Sequence, residues 1–125
     1  QEVFEAHKDH FISQKELTNT CLNWGFKNIS LYAGNIEETS KIYGMQNKKN
    51  GISLLYLDVD NYEGTMGALK NLYPLVKKGG VIVFDEYNDH QHGEYKAIDE
   101  FFKEKKSNIK SFSWNKSSTA YYIKD

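Results

Sequence analysis

The chain contains no arginine: all 16 of its basic residues are lysines, set against 17 carboxylates for a net charge of −1. Without guanidinium forks it lacks the side chain best suited to bidentate recognition of phosphate or base edges. Without a basic excess it has no electrostatic footprint for nucleic acid either. A single cysteine, Cys21, excludes an internal disulfide and fits a reducing, cytoplasmic setting. Its place in a helical apolar pattern marks it as a small buried residue rather than a reactive thiol. No apolar run approaches the roughly 20 residues of a membrane helix, so no membrane partner is expected. No secretory leader is visible, although the chain opens on Gln1 rather than Met and leaves any upstream signal unread. What remains is an ordinary globular composition, 39% hydrophobic with 9 glycines in 125 residues, the size of one domain or part of one.

Hydrophobic periodicity orders the elements. Residues 1–12 read as a loop. Ser13 and Glu16 have capping-box spacing ahead of a helix with Leu17, Cys21, Leu22 and Trp24 on its apolar side, ended by Gly25. Ile29 to Ala33 reads as a short strand stopped at Gly34-Asn35, and Ile36 to Tyr43 as one or two helical turns. Ile52 to Val59 is apolar without alternation, the pattern of a strand buried on both faces of a parallel sheet. Thr65 is the expected cap of the next helix, with Met66, Leu69, Leu72, Tyr73 and Val76 inward and Pro74 near its end. Gly79-Gly80 turns the chain into a second buried strand, Val81 to Phe84. A helix over Glu94 to Lys106 follows, then a terminal hairpin of Ile109–Trp114 and Thr119–Ile123. The order predicts a single α/β domain with helices on both faces of the sheet and an antiparallel pair at one edge.

Two of these strands end in acids. Asp58 and Asp60 follow the first, and Asp85 and Glu86 follow the second, one crossover away. Neighbouring parallel strands lie about 4.8 Å apart, and ligands of open parallel sheets bind beyond the carboxyl ends of the strands. Asp58, Asp85 and Glu86 are therefore candidate ligands of a hard cation, Mg²⁺ first and Mn²⁺ or Ca²⁺ next, because the donors are all oxygen. Such an ion acidifies a bound hydroxyl, and Asp60 is the candidate acceptor of its proton. Tyr62, Tyr87 and Trp114 are candidate pocket walls. Asp89-His90-Gln91-His92 reads as a polar loop beside the site rather than a metal centre.

The stretch from Leu57 through Asp58, Val59, Asp60, Asn61, Tyr62, Glu63 and Gly64 to Thr65 resembles the TylF-type, macrocin O-methyltransferase-like family. That family's pattern runs Leu-Asp-Gly-Asp-Leu-Tyr-Glu-Ser-Thr. It continues through a helix ending Leu-Tyr-Pro, a Gly-Gly pair, and then two acids and a tyrosine, here Leu72-Tyr73-Pro74, Gly79-Gly80 and Asp85-Glu86-Tyr87. Gly93 and the segment Lys96 to Phe101 resemble its next helix. The likeness covers roughly residues 13–125. It implies a class I, Rossmann-like methyltransferase fold that uses S-adenosylmethionine and a divalent metal, Mg²⁺ or Mn²⁺, to methylate a small-molecule hydroxyl, often on a sugar. It also implies Asp58, Asp85 and Glu86 at the metal positions, Asp60 as the base and, where the family contacts adenine, Gly34, Asn35 and Ile36. Val59 stands for the usual Gly, Gly64 for Ser and Glu86 for a common Asp; the last lengthens the metal arm.

The family's N-terminal strands and Gly-rich cofactor turn have no counterpart before residue 13, where Val3-Phe4-Glu5 reads as a remnant of the preceding loop. The chain thus resembles the C-terminal half of such an enzyme. The expected function is sugar O-methylation, with this chain alone inactive for want of the cofactor loop. The alternative is a catalytically inactive α/β module that associates with another chain. The sequence permits an oligomer and selects no acceptor.

Overall fold

The computed structural model describes residues 12–91, 93–114 and 117–125; the expectations on Val3-Phe4-Glu5 and His92 lie outside them. The chain divides into two units, Gln1–Ala33 and Gly34–Asp125. In the first, helix α1 (Gln14–Asn23) opens with the expected capping box. Ser13 Oγ accepts from the Glu16 N–H, and Glu16 returns its carboxylate to the Ser13 N–H at 2.8 Å. Gly25, at φ 78°, follows the helix. The expected strand at Ile29–Ala33 does not form. Among the described residues its backbone pairs with no strand, Ile29 and Tyr32 are exposed, and the segment is irregular.

The second unit is built on a four-stranded sheet: β1 (Ile52–Leu57), β2 (Val76–Phe84), β3 (Lys110–Ser111) and β4 (Ala120–Ile123). The spatial order is β1-β2-β4-β3, with β1 and β2 parallel and the other pairs antiparallel. Helices α2 (Ile36–Gln46), α3 (Tyr62–Leu72) and α4 (Glu94–Phe102) alternate with the first strands. The terminal antiparallel pair is present as expected.

Alternation along the strands decides what they bury. Leu55 and Leu57 of β1, Ile82 and Phe84 of β2, and Ala120 and Tyr122 of β4 point to one face. There they meet Ala68, Leu69 and Leu72 of α3 and Ile98 and Phe102 of α4. Phe102 joins Tyr73, Phe84 and Tyr122 in an edge-on and tilted ring cluster. Each fully buried side chain of this set contributes on the order of 1.5–3 kcal/mol. The opposite face carries Leu54, Tyr56 and Ile123, which are 64%, 55% and 51% exposed. The strand expected to be buried on both faces is therefore covered on one.

In the second unit β1 ends at Leu57 rather than Val59, α2 runs on to Gln46 and β3 is only Lys110–Ser111; three further differences each have a local reason. Asn61, not Thr65, caps α3: its Oδ1 accepts the Gly64 N–H at 2.8 Å, and Thr65 is buried within the helix. Val76 to Gly80 belong to β2, but the register jumps there. Ile52 pairs with Val76 and Leu54 with Val81, so the intervening residues bulge around Gly79 at φ 76°. Finally, α4 ends at Phe102, because Lys103 takes φ 41°, and a 3-10 stretch runs to Asn108.

Candidate active site

Beyond Leu57 and Phe84 the two parallel strands release the acid-bearing loops side by side. The ladder runs one step further, with the Asp85 N–H donating to the Leu57 carbonyl at 3.0 Å. Because Leu57 and Phe84 point to the core, Tyr56, Asp58, Val83 and Asp85 fall on the open face. The Tyr56 hydroxyl accordingly donates to Asp85 Oδ1. That hydrogen bond, then partial desolvation and the charges of Asp85, Asp58 and Glu94, push the Tyr56 phenol up to about 12. The Asp58 carboxyl is also raised, first by desolvation and then by Asp85 and Asp60 beside it. A carboxyl raised by the charges of neighbouring acids marks a place that a cation would relieve.

Glu86 is engaged elsewhere. Its Oε2 accepts from Ser118 Oγ at 3.2 Å, and the same hydroxyl lies 3.0 Å from the Asp85 carbonyl. Among the described residues, no three His, Cys, Asp or Glu side chains converge as a ready-made metal set. The structure thus brings Asp60 and Asp85 each within electrostatic range of Asp58 and ties Glu86 to Ser118 of the C-terminal hairpin. An all-carboxylate donor pair, Asp58 and Asp85, suits a hard cation.

Asp60 adopts φ 62°, the left-handed region that Asp tolerates better than most residues. Its carbonyl accepts the Gly93 N–H at 3.2 Å. The most consequential residue missed by the sequence reading is Glu94. It is 0% exposed, at the first turn of α4, and its carboxylate faces backbone rather than solvent. Oε2 accepts from the Val59 N–H at 3.2 Å and Oε1 from the Glu86 N–H at 3.3 Å. Burial raises the Glu94 pKa, and the nearby backbone of Val59, Glu86 and Asp60 opposes the rise. A first-turn Glu is usually only a helix-dipole partner, so nothing in its sequence position marks this role.

The other expected residues fall as follows. Asn35 caps α2, its Oδ1 accepting the Glu37 N–H at 2.8 Å, and Gly34 sits at φ 141°. Ile36 lies against Gly64: a Cβ there would stand 2.9 Å from the Ile36 Cγ2 and 2.6 Å from Val59 Cγ1. Gly64, where the family has Ser, therefore lets Ile36 approach the acid loop. Tyr62 and Tyr87 are tied to α4 by hydrogen bonds to Glu100 and Asp99. Trp114 is 79% exposed and packs on Phe112. His90 stacks edge-on against Tyr95.

A family model of macrocin O-methyltransferase (TylF) matches residues 11–122. The chain belongs to that family. Among solved structures, the TDP-rhamnose 3'-O-methyltransferase CalS11 of calicheamicin biosynthesis superposes at a TM-score of 0.68 with 28% identity. That match covers 74% of this chain and 40% of CalS11. The O-methyltransferase NovP superposes at 0.74 with 22% identity, over 90% of this chain and 45% of NovP, a likeness of fold. A comparison with curated protein sequences gives no match. The fold is the class I methyltransferase α/β fold, and the chain spans 40–45% of the length of these relatives.

Proposed function

We propose that the protein containing this chain is an S-adenosylmethionine-dependent O-methyltransferase, assisted by Mg²⁺ or Mn²⁺ and acting on a hydroxyl of a sugar or glycosylated natural product. The observation that carries the reading is the placement of Asp58 and Asp85 at the ends of two parallel strands, with Asp60 beside Asp58, in a TylF-family chain. Asp58 and Asp85 would hold the cation. Glu86 would join only by turning from Ser118. When bound, the cation would supply Lewis acidity towards an acceptor hydroxyl, and the sulfonium donor would supply an electrophilic methyl group.

The chain's own residues do the rest. Asp60 takes the hydroxyl proton on a carboxylate oxygen. Asp58 and Asp85 fix the acceptor's position, so that alignment and charge neutralisation carry most of the acceleration. Gly34, Asn35 and Ile36 are proposed at the adenine side, a role supported by the approach of Ile36 to the acid loop. The acceptor is a small molecule, in line with the sugar acceptor named for CalS11.

The test is a titration of S-adenosylhomocysteine with and without Mg²⁺, together with turnover of TDP-rhamnose by the wild type and Asp58→Asn. Metal-enhanced binding and loss of metal-dependent turnover in Asp58→Asn are expected. Unchanged turnover in that variant would sink the metal assignment. Absence of cofactor binding and of turnover in the wild type would favour the non-catalytic module.

A further inference from the structure

We infer that Glu94 is the positioning residue of this site: its buried side chain clamps the two acid-bearing loops together and seats the turn around Asp60 on α4. The inference rests on the methyl-transfer reading for its functional consequence, but its geometry stands alone. Val59 belongs to the loop after β1 and Glu86 to the loop after β2, and both backbone N–H groups donate to the one carboxylate. No other described hydrogen bond from a side chain joins both loops. The neighbouring residue completes the grip, since the Gly93 N–H donates to the Asp60 carbonyl. Asp60 is thereby held on both sides, through the Val59 N–H before it and through its own carbonyl.

The Asn61 N–H and side-chain amide both donate to the Val59 carbonyl and close the turn around Asp60 at φ 62°; Glu94 and Gly93 seat that turn on α4. Placing Asp58 and Asp60 opposite Asp85 also brings like charges together, and they push the loops apart unless the backbone is tied. Glu94 resists that repulsion from the helix side. It reaches the backbone of the acid loops through the base of the site, so it orients the acids without occupying the position where substrate binds.

Glu94→Gln is the informative variant. In either amide orientation one N–H of the loops meets an NH₂ group, which cannot accept it. Ile98→Val, one turn along the same helix and buried in the core, is the control for a purely structural loss. The first readout is Mn²⁺ binding to the full-length protein with S-adenosylhomocysteine present. The second is backbone amide exchange at Val59 and Glu86. Glu94→Gln is expected to weaken Mn²⁺ binding about 10–100-fold, the usual effect of removing an outer support of a metal site, with Ile98→Val close to wild type. Exchange at the two amides is expected to accelerate in Glu94→Gln, while Ile82 and Phe84 stay protected.

If Glu94→Gln matches Ile98→Val in both readouts, the clamp is wrong, and wild-type Mn²⁺ binding would leave the metal reading intact. If the wild type binds no Mn²⁺ yet the two amides still open in Glu94→Gln, the clamp stands and the metal reading fails. Weakened Mn²⁺ binding with full protection at both amides also overturns the clamp.

Discussion

Replacing Gly93 by Ala tests how tightly α4 is seated on the acid loop. Gly93 has φ −75°, so an alanine there carries no backbone strain. The difficulty is space: its Cβ would stand 2.6 Å from the Tyr62 backbone N, 3.1 Å from Tyr62 Cβ and 3.3 Å from the Asn61 carbonyl carbon. Two of these three are backbone atoms of the α3 start, which Asn61 caps, so relief requires moving α4 away from the loop. That motion stretches the bond from the Gly93 N–H to Asp60 and loosens Glu94. Overpacking of this kind costs about 1–3 kcal/mol. At a typical urea slope of about 2 kcal/mol/M, a loss of about 2 kcal/mol lowers the unfolding midpoint by roughly 1 M.

Gly67→Ala is the matched comparison. A Cβ there also meets an atom at 2.6 Å, but that atom is Cγ of the exposed Glu37, which can rotate away. Gly67 lies inside α3, where Ala is favoured over Gly by about 0.5–1 kcal/mol. Gly67→Ala should therefore be neutral or stabilising, and Gly93→Ala clearly destabilising. Equal midpoints for the two variants in urea unfolding followed by circular dichroism would refute the argument from space. The same Gly93→Ala protein, assayed well below its midpoint, should also lose the proposed methyl-transfer turnover if Asp60 is the base.

Further outcomes are expected elsewhere. Thr65 Oγ1 is buried without a hydrogen-bond partner. Thr65→Val removes an unsatisfied hydroxyl at constant shape, and its urea midpoint should equal or exceed wild type; a loss beyond about 1 kcal/mol would mean the hydroxyl is bonded. The Lys105 ammonium, followed by the Tyr122 hydroxyl, holds Asp125 down at about 2. Its folded-state pKa is depressed, so its stabilisation is present above the ordinary carboxylate range and is lost as pH falls towards 2. Carboxyl NMR titration of Lys105→Met should move the Asp125 midpoint upward, and an unmoved midpoint would remove the ion pair from the account. Asp85→Asn should lower the Tyr56 phenol from about 12 towards its ordinary value, read by absorbance at alkaline pH; persistence near 12 would point to another cause.

Much of this protein was legible in local patterns. The Ser13–Glu16 box, the apolar runs of β1 and β2, and the terminal hairpin follow from side-chain chemistry over a few residues, and all three form. The acids at the strand ends were equally legible, because two adjacent parallel strands bring their termini together. The strand at Ile29–Ala33 failed because a strand needs a partner, which a local pattern does not provide. Asn61 displaced Thr65 as the cap of α3 because the chain leaves β1 two residues earlier than its hydrophobicity indicates.

The sequence by itself determined that a chain without arginine and with one cysteine would fold as an α/β layer with Asp58, Asp60 and Asp85 at one edge. Only the tertiary structure decided how those acids are held. Strand alternation puts Tyr56 on Asp85, the hairpin's Ser118 draws Glu86 aside, and burial converts a first-turn Glu94 into a brace between two loops. These contacts join residues 29, 32 and 35 positions apart. Their energies depend on desolvation and on the direction of backbone N–H groups, which exist only once the sheet and α4 are assembled.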